Sequence, residues 1–151
     1  MQKDVIRVSG VVVEGHRVAS RPSKVYPYGT LVRQQPFFKV AGLDLDHFFK
    51  GTLNVSIAPL RFEMVKPAYI FRQIAWTDLH PPEDFSFSPC RVIFEDCGYD
   101  GFVYYPHPET KIRHFQDPSV MEVITDKIPA INYGSRLELD LDAEAIRILV
   151  E

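Results

Sequence analysis

The sequence predicts a mainly β fold: a single closed or nearly closed antiparallel β-barrel of the cradle-loop kind, with short helices only. Three observations predict it. Apolar runs of strand length recur from one end of the chain to the other, separated by Gly, Pro, Asn and Asp. No segment keeps a 3.6-residue apolar period over three turns, so no long amphipathic helix is expected. The 12 prolines and 8 glycines among 151 residues favour many short elements joined by ordered turns. A set of short antiparallel strands leaves sheet edges to be protected, and closure into a barrel removes them.

Taken in order, strands are expected at about 4–14, 36–40, 52–58, 68–76, 91–96, 101–105, 120–124, 136–141 and 145–150. The first, DVIRVSGVVVE, is rich in β-branched residues, and PFFKV and AYIFRQIAW carry paired aromatic and aliphatic side chains. RVIFED, GFVYY, VMEVI and AIRILV are short apolar runs bounded by turn residues, and RLELDL alternates cleanly, as a half-buried strand does. The best helix candidate is short, LDLDHFF at 43–49. Three connections stand out. The first, 15–29, carries Arg17, Arg21 and Lys24; the second, 77–89, is acidic; the third, 105–118, sets His107 between Pro106 and Pro108. With no repeat, linker or low-complexity tract, residues 1–151 are expected to form one domain.

A net charge of −3 and a pI near 5.9 give no overall electrostatic footprint for nucleic acid or an anionic membrane. The opening MQKDVIRV places charges where a signal peptide has an apolar run, and no apolar stretch is long enough to span a bilayer. Cys90 and Cys97 lack metal-site spacing, and an unbroken strand between them would send them to opposite faces. The expectation is a cytoplasmic protein with two reduced thiols, taking a small anionic or phosphorylated ligand through basic residues gathered in its loops.

The stretch GTLNVSIAP, 51–59, carries the most specific signal. As a strand it sends Leu53, Val55 and Ile57 to one face and Thr52, Asn54 and Ser56 to the other. The apolar face needs a core. The polar face carries three oxygen-bearing groups, among them an asparagine, which strands disfavour. GTLN followed by an alternating strand resembles the CTP-dependent riboflavin kinases of archaea, which are small cradle-loop barrels. The similarity extends to DVIRVSGVVVEG near the start and to SVMEVIT and YGSRLELDL near the end. It does not cover the middle, about 60–118. The resemblance implies that Thr52 and Asn54 hold Mg2+ beside the phosphates of a nucleotide such as CTP, and that Glu122 is the glutamate on the flavin side. Two neutral hard oxygens two residues apart on a strand suit magnesium when phosphate supplies the balancing charge. The chain departs from the family after Gly15, where HRVASRPS replaces a glycine-rich nucleotide loop, and the interval ITDKIPAIN is short and contains Pro129. Phosphate contact then falls to side chains, and Gly15, Arg17, Arg21, Lys24, Lys111, Arg113 and His114 are the candidates for holding the ligand.

Glu122 or His107 is the candidate for orienting or deprotonating an acceptor hydroxyl. His107, Glu109 and His114 also read as metal ligands or as a base with its partners, in a spacing that matches no strong signature. The leading expectation is a small-molecule-binding barrel acting as a magnesium-dependent nucleotide phosphotransferase. The alternatives are a non-catalytic ligand-binding or protein-interaction barrel, and a metal-dependent hydrolase using the His107 loop.

Overall fold

A computed structural model of the chain describes residues 4–14, 30–79, 81–109 and 117–150. Among them the elements run β1 (Val5–Val12), α1 (Thr30–Ala41), β2 (Leu53–Ser56), β3 (Arg61–Met64), β4 (Tyr69–Ile74), β5 (Glu83–Phe94), β6 (Cys97–Pro106), β7 (Val120–Thr125), β8 (Arg136–Asp142) and β9 (Ile146–Leu149). β1 pairs with β2 and β8, β2 with β7, β7 with β6, β6 with β5, and β5 with β8, all antiparallel. That ring is a closed six-stranded barrel, as the alternating sequence predicts.

Strand alternation fills the lumen with the chain's own side chains. Val8 and Val12, Val55, Val92, Val103, Met121 and Val123, and Leu137, Leu139 and Leu141 form one buried cluster. Gly10 faces the same interior, where a β-carbon would collide with the Val55 side chain, so the close approach of β1 and β2 requires glycine. β3 and β9 form a separate two-stranded sheet, and their Phe62 and Ile146 complete the lumen core.

β5 is longer than the barrel needs. Residues 90–93 pair with β8, whereas residues 83–87 pair with β4, which extends the sheet beyond the ring. Pro89 falls where the strand passes from one neighbour to the other, a place where a missing ladder donor costs little. On the outer face of this extension α1 buries a second cluster, with Leu31, Phe38, Phe71, Phe85, Phe87, Tyr104 and Ile124. Phe38 sits 5.0 Å from Phe87, 5.1 Å from Phe85 and 5.7 Å from Phe71, ring centre to ring centre.

Several expected elements are corrected. PFFKV, expected as a strand at 36–40, lies inside α1. The buried positions of that helix are Leu31, Gln34, Gln35 and Phe38, spaced as one helical face requires, but two of the four are glutamines. Their polarity hid the period. Each is satisfied in place: Gln34 Oε1 accepts from the Tyr104 hydroxyl at 2.6 Å, and Gln35 Nε2 donates to the Leu45 carbonyl at 3.0 Å. The helix ends at Gly42, φ +119°, with Gly42 N–H donating to the Lys39 carbonyl and Leu43 N–H to the Phe38 carbonyl, a Schellman closure. The helix expected at 43–49 is instead an extended turn. Leu43 and Leu45 point into the second core, and Asp44 accepts from Asp46 N–H at 2.9 Å. The acidic connection expected at 77–89 contains the first half of β5, and β3 was not expected at all because two prolines crowd its ends.

The β5–β6 hairpin turns through Glu95 and Asp96, both at positive φ, as a two-residue primed turn demands. This turn places the cysteines on different strands. Cys90 faces Gly101 and Cys97 faces Phe94, so four residues of β6, roughly 13 Å at strand rise, separate them, and both thiols are free. Burial pushes the Cys90 thiol up to about 12. The native protein is therefore expected to take one equivalent of iodoacetamide near neutral pH, at exposed Cys97, and a second only after denaturation. Mass spectrometry of the labelled peptides checks it. No described helix is long and apolar enough to cross a membrane.

Candidate functional site

The polar row of β2 splits into two parts. Ser56 Oγ accepts from Ala58 N–H at 3.3 Å and closes the turn after the strand. Thr52 and Asn54 are half-buried and meet β7. Asn54 stands directly opposite Glu122 in the antiparallel register, and Thr52 Oγ1 donates to Glu122 Oε1 at 3.4 Å. Residues 70 positions apart thus place a hydroxyl, an amide and a carboxylate on one face. That face is the outer one. Met121 and Val123 on either side of Glu122 point into the lumen, so alternation turns Glu122 outward, beside Ile124 of the second core.

The row continues across the sheet. Tyr104 of β6 stands opposite Glu122 on the other side of β7. Its ring is buried among Phe85, Phe87 and Phe38, and its hydroxyl is tied to Gln34 of α1. Burial raises the Tyr104 hydroxyl well above the ordinary phenol value, and the charges of Glu122 and Glu83 push it the same way, so it stays protonated. The helix therefore fixes a neutral phenol beside the carboxylate. On the opposite flank, Val13 N–H donates to the Asn54 carbonyl at 2.9 Å. The chain leaving β1 thus runs along this edge as far as Val13.

The Thr52 hydroxyl and the Asn54 amide oxygen are neutral hard donors of the kind magnesium takes, with water and phosphate completing the shell. A Thr52 hydroxyl that donates to Glu122 keeps its lone pairs available to a cation. The donor set fits Mg2+. Among the described residues there is no group of three or more His, Cys, Asp and Glu that could hold a metal ion, so softer or all-carboxylate sites have no support there.

His107 is placed apart from this row. Val103 and Tyr105 face the lumen, and His107 follows them on that side, its ring 5.7 Å from Tyr105. His107 Nε2 lies 2.5 Å from Ser86 Oγ, and Nδ1 lies 3.2 Å from Glu109 Oε1. Ser86 is buried, and Ser88, two residues along the same face of β5, is fully buried. Sequence reasoning named His107 and Glu109 but missed both serines. FSFSP alternates Phe and Ser, and read as a strand it puts both hydroxyls on one face and both rings on the other. Another buried polar pair was also missed: Trp76 Nε1 donates to the buried Glu83 at 2.7 Å.

Gly15, Arg17, Arg21, Lys24, Lys111, Arg113 and His114 lie outside the described residues, as does His80. Comparison of the chain with protein-family models and with curated proteins found no match to either.

Proposed function

We propose that this protein is a small-molecule-binding barrel that uses the Thr52–Asn54–Glu122 face as a magnesium-dependent phosphotransferase site for a nucleotide such as CTP. The observation that carries the reading is the approach of Thr52 Oγ1 to Glu122 Oε1, with Asn54 across the ladder from the same glutamate. Segments that separately resemble the metal strand and the flavin-side glutamate of archaeal riboflavin kinases come together on one face. Thr52 and Asn54 would hold Mg2+, which supplies positive charge against phosphate oxygens. Glu122, held by the Thr52 hydroxyl, accepts the proton of an acceptor hydroxyl. Tyr104, kept neutral, walls the carboxylate on its apolar side.

One observation favours a second reading, a barrel that binds ligand without turnover. The Thr52–Asn54–Glu122 face lies outside the filled lumen, so a ligand held on it stays within reach of solvent.

The test is a thermal-shift screen of nucleotides, flavins and sugar phosphates with and without Mg2+. A ligand at a hundred times its dissociation constant stabilises by roughly 2.7 kcal/mol. Asn54→Ala and Thr52→Val are expected to keep the wild-type urea midpoint and abolish the metal-dependent shift. The absence of any shift in the screen defeats the proposal. So does a loss of about 1–3 kcal/mol in both variants with unchanged ligand affinity, the signature of stranded structural hydrogen-bond partners.

A further inference from the structure

A second arrangement of reactive groups lies on the opposite face of the same sheet, independent of the polar row. Ser86 Oγ, His107 Nε2, His107 Nδ1 and Glu109 Oε1 form a continuous line, with separations of 2.5 and 3.2 Å at its two hydrogen bonds. Ser86 lies on β5, and His107 and Glu109 follow the end of its paired strand β6. Ser86 faces Tyr105 across β5 and β6, and His107 N–H donates to the Asp84 carbonyl at 2.9 Å, which continues the ladder one step past the strand end. Backbone pairing therefore sets the position from which the imidazole meets the serine.

The chemistry of the line is directional. A carboxylate only accepts, so Glu109 accepts from His107 Nδ1–H, and in that tautomer Nε2 accepts from the Ser86 hydroxyl. A base oriented by a third group and within hydrogen-bond reach of a hydroxyl is the arrangement that activates a serine nucleophile. The line also runs from outside to inside: the Glu109 side chain is 69% exposed, that of His107 14%, and Ser86 is buried.

An independent observation points to a ligand at the inner end. Ser88 Oγ is the buried side-chain polar atom that has no hydrogen-bond partner among the described residues. It lies on the same face of β5 as Ser86, two residues on. A buried hydroxyl with its donor unspent is costly unless something accepts from it. A carbonyl oxygen held beside Ser86 is such an acceptor, and the same donor would stabilise the oxyanion that forms there. The side chains nearby are apolar, with Tyr105 beside His107 and Phe62 packed against Tyr105 at 6.0 Å.

We propose that Ser86, His107 and Glu109 form a serine-nucleophile site that hydrolyses small esters with an apolar acyl group, with Ser88 as a hydrogen-bond donor to the reacting carbonyl. The Ser86 oxygen bonds to the carbonyl carbon as its proton passes to His107 Nε2. The carbon–oxygen bond to the leaving alcohol breaks, and the alcohol takes that proton. Water then attacks the acyl-serine, gives a proton to Nε2, and releases the acid as Ser86 recovers its hydrogen. Nothing is oxidised or reduced, and water is the only co-reactant.

The probe is diisopropyl fluorophosphate, which modifies activated serines, followed by peptide mass spectrometry and by hydrolysis of 4-nitrophenyl acetate and butyrate. The expected result is a single modification at Ser86 and ester hydrolysis that the reagent abolishes. Ser86→Ala removes both. His107→Gln lowers the modification rate by about 10²-fold or more. Ser88→Ala keeps the fold by circular dichroism and slows ester hydrolysis. Failure of the folded wild-type protein to be modified at Ser86 overturns the proposal, whatever the variants do. Modification that survives His107→Gln unchanged overturns it equally. Because no nucleotide or Mg2+ enters the assay, its outcome is separate from that of the phosphotransferase test.

Discussion

Glu122→Gln is expected to lower phosphoryl transfer by about 10²–10⁴-fold while leaving the barrel as stable as the wild type. Glutamine has the shape of glutamate and keeps an oxygen that accepts from Thr52 Oγ1, so the bond between β2 and β7 survives the change. What disappears is the negative charge and the ability to take a proton. Glu122 is half-buried at the edge of the second core. Metal-dependent ligand binding should persist, because Thr52 and Asn54 remain. The effect therefore falls on kcat, with KM little changed, the pattern of an interaction made only as the hydroxyl loses its proton. The assay couples nucleoside diphosphate release to a panel of hydroxyl acceptors that includes riboflavin. Unchanged kcat in Glu122→Gln removes this glutamate from the reaction. Wild-type protein that binds ligand with Mg2+ yet transfers nothing supports the non-catalytic reading.

Phe38→Ala is expected to destabilise the protein by about 3–5 kcal/mol. Phe38 is fully buried, and its ring touches Phe71, Phe85 and Phe87, each within 6 Å. No neighbour can collapse into the gap without giving up its own packing. Set against a total stability of roughly 5–15 kcal/mol, the loss is severe. It also loosens α1, which holds the Tyr104 hydroxyl through Gln34, and a buried phenol that loses its acceptor adds to the cost. Phe37, the preceding residue, is the control: it is 40% exposed, and Phe37→Ala should cost roughly 0.5 kcal/mol or less. Urea melts of the two variants compare adjacent phenylalanines whose costs differ only through the helical register. A larger loss at Phe37 than at Phe38 would contradict that register.

The same contrast shows what could be read before folding. A strand expected at 36–40 carries Phe37 and Phe38 on opposite faces, one buried and one exposed, and a helix gives the same result. Local pattern therefore could not decide between them. The helix forms because its buried face finds partners for Gln34 and Gln35 on β6 and on the chain after the helix, and those partners are far away in sequence or beyond the helix end. With Pro36 inside it, little in the segment's own propensity favours a helix; tertiary burial supplies the stability.

What the sequence determined by itself is local. Period-two alternation gave β1, β2, β7 and β8 their inward and outward faces, because side-chain direction in a strand follows from backbone geometry alone. The same rule put Thr52 and Asn54 on one side of β2. Tertiary structure decided everything that depends on which strand lies next to which. It set Glu122 opposite Asn54, turned that face outward from a filled lumen, sent β5 past the barrel to meet β4, and brought Ser86 under His107. Register between distant strands is a property of the whole packed core. A shift of one residue turns every side chain to the other face, and only the summed burial of both cores forbids it.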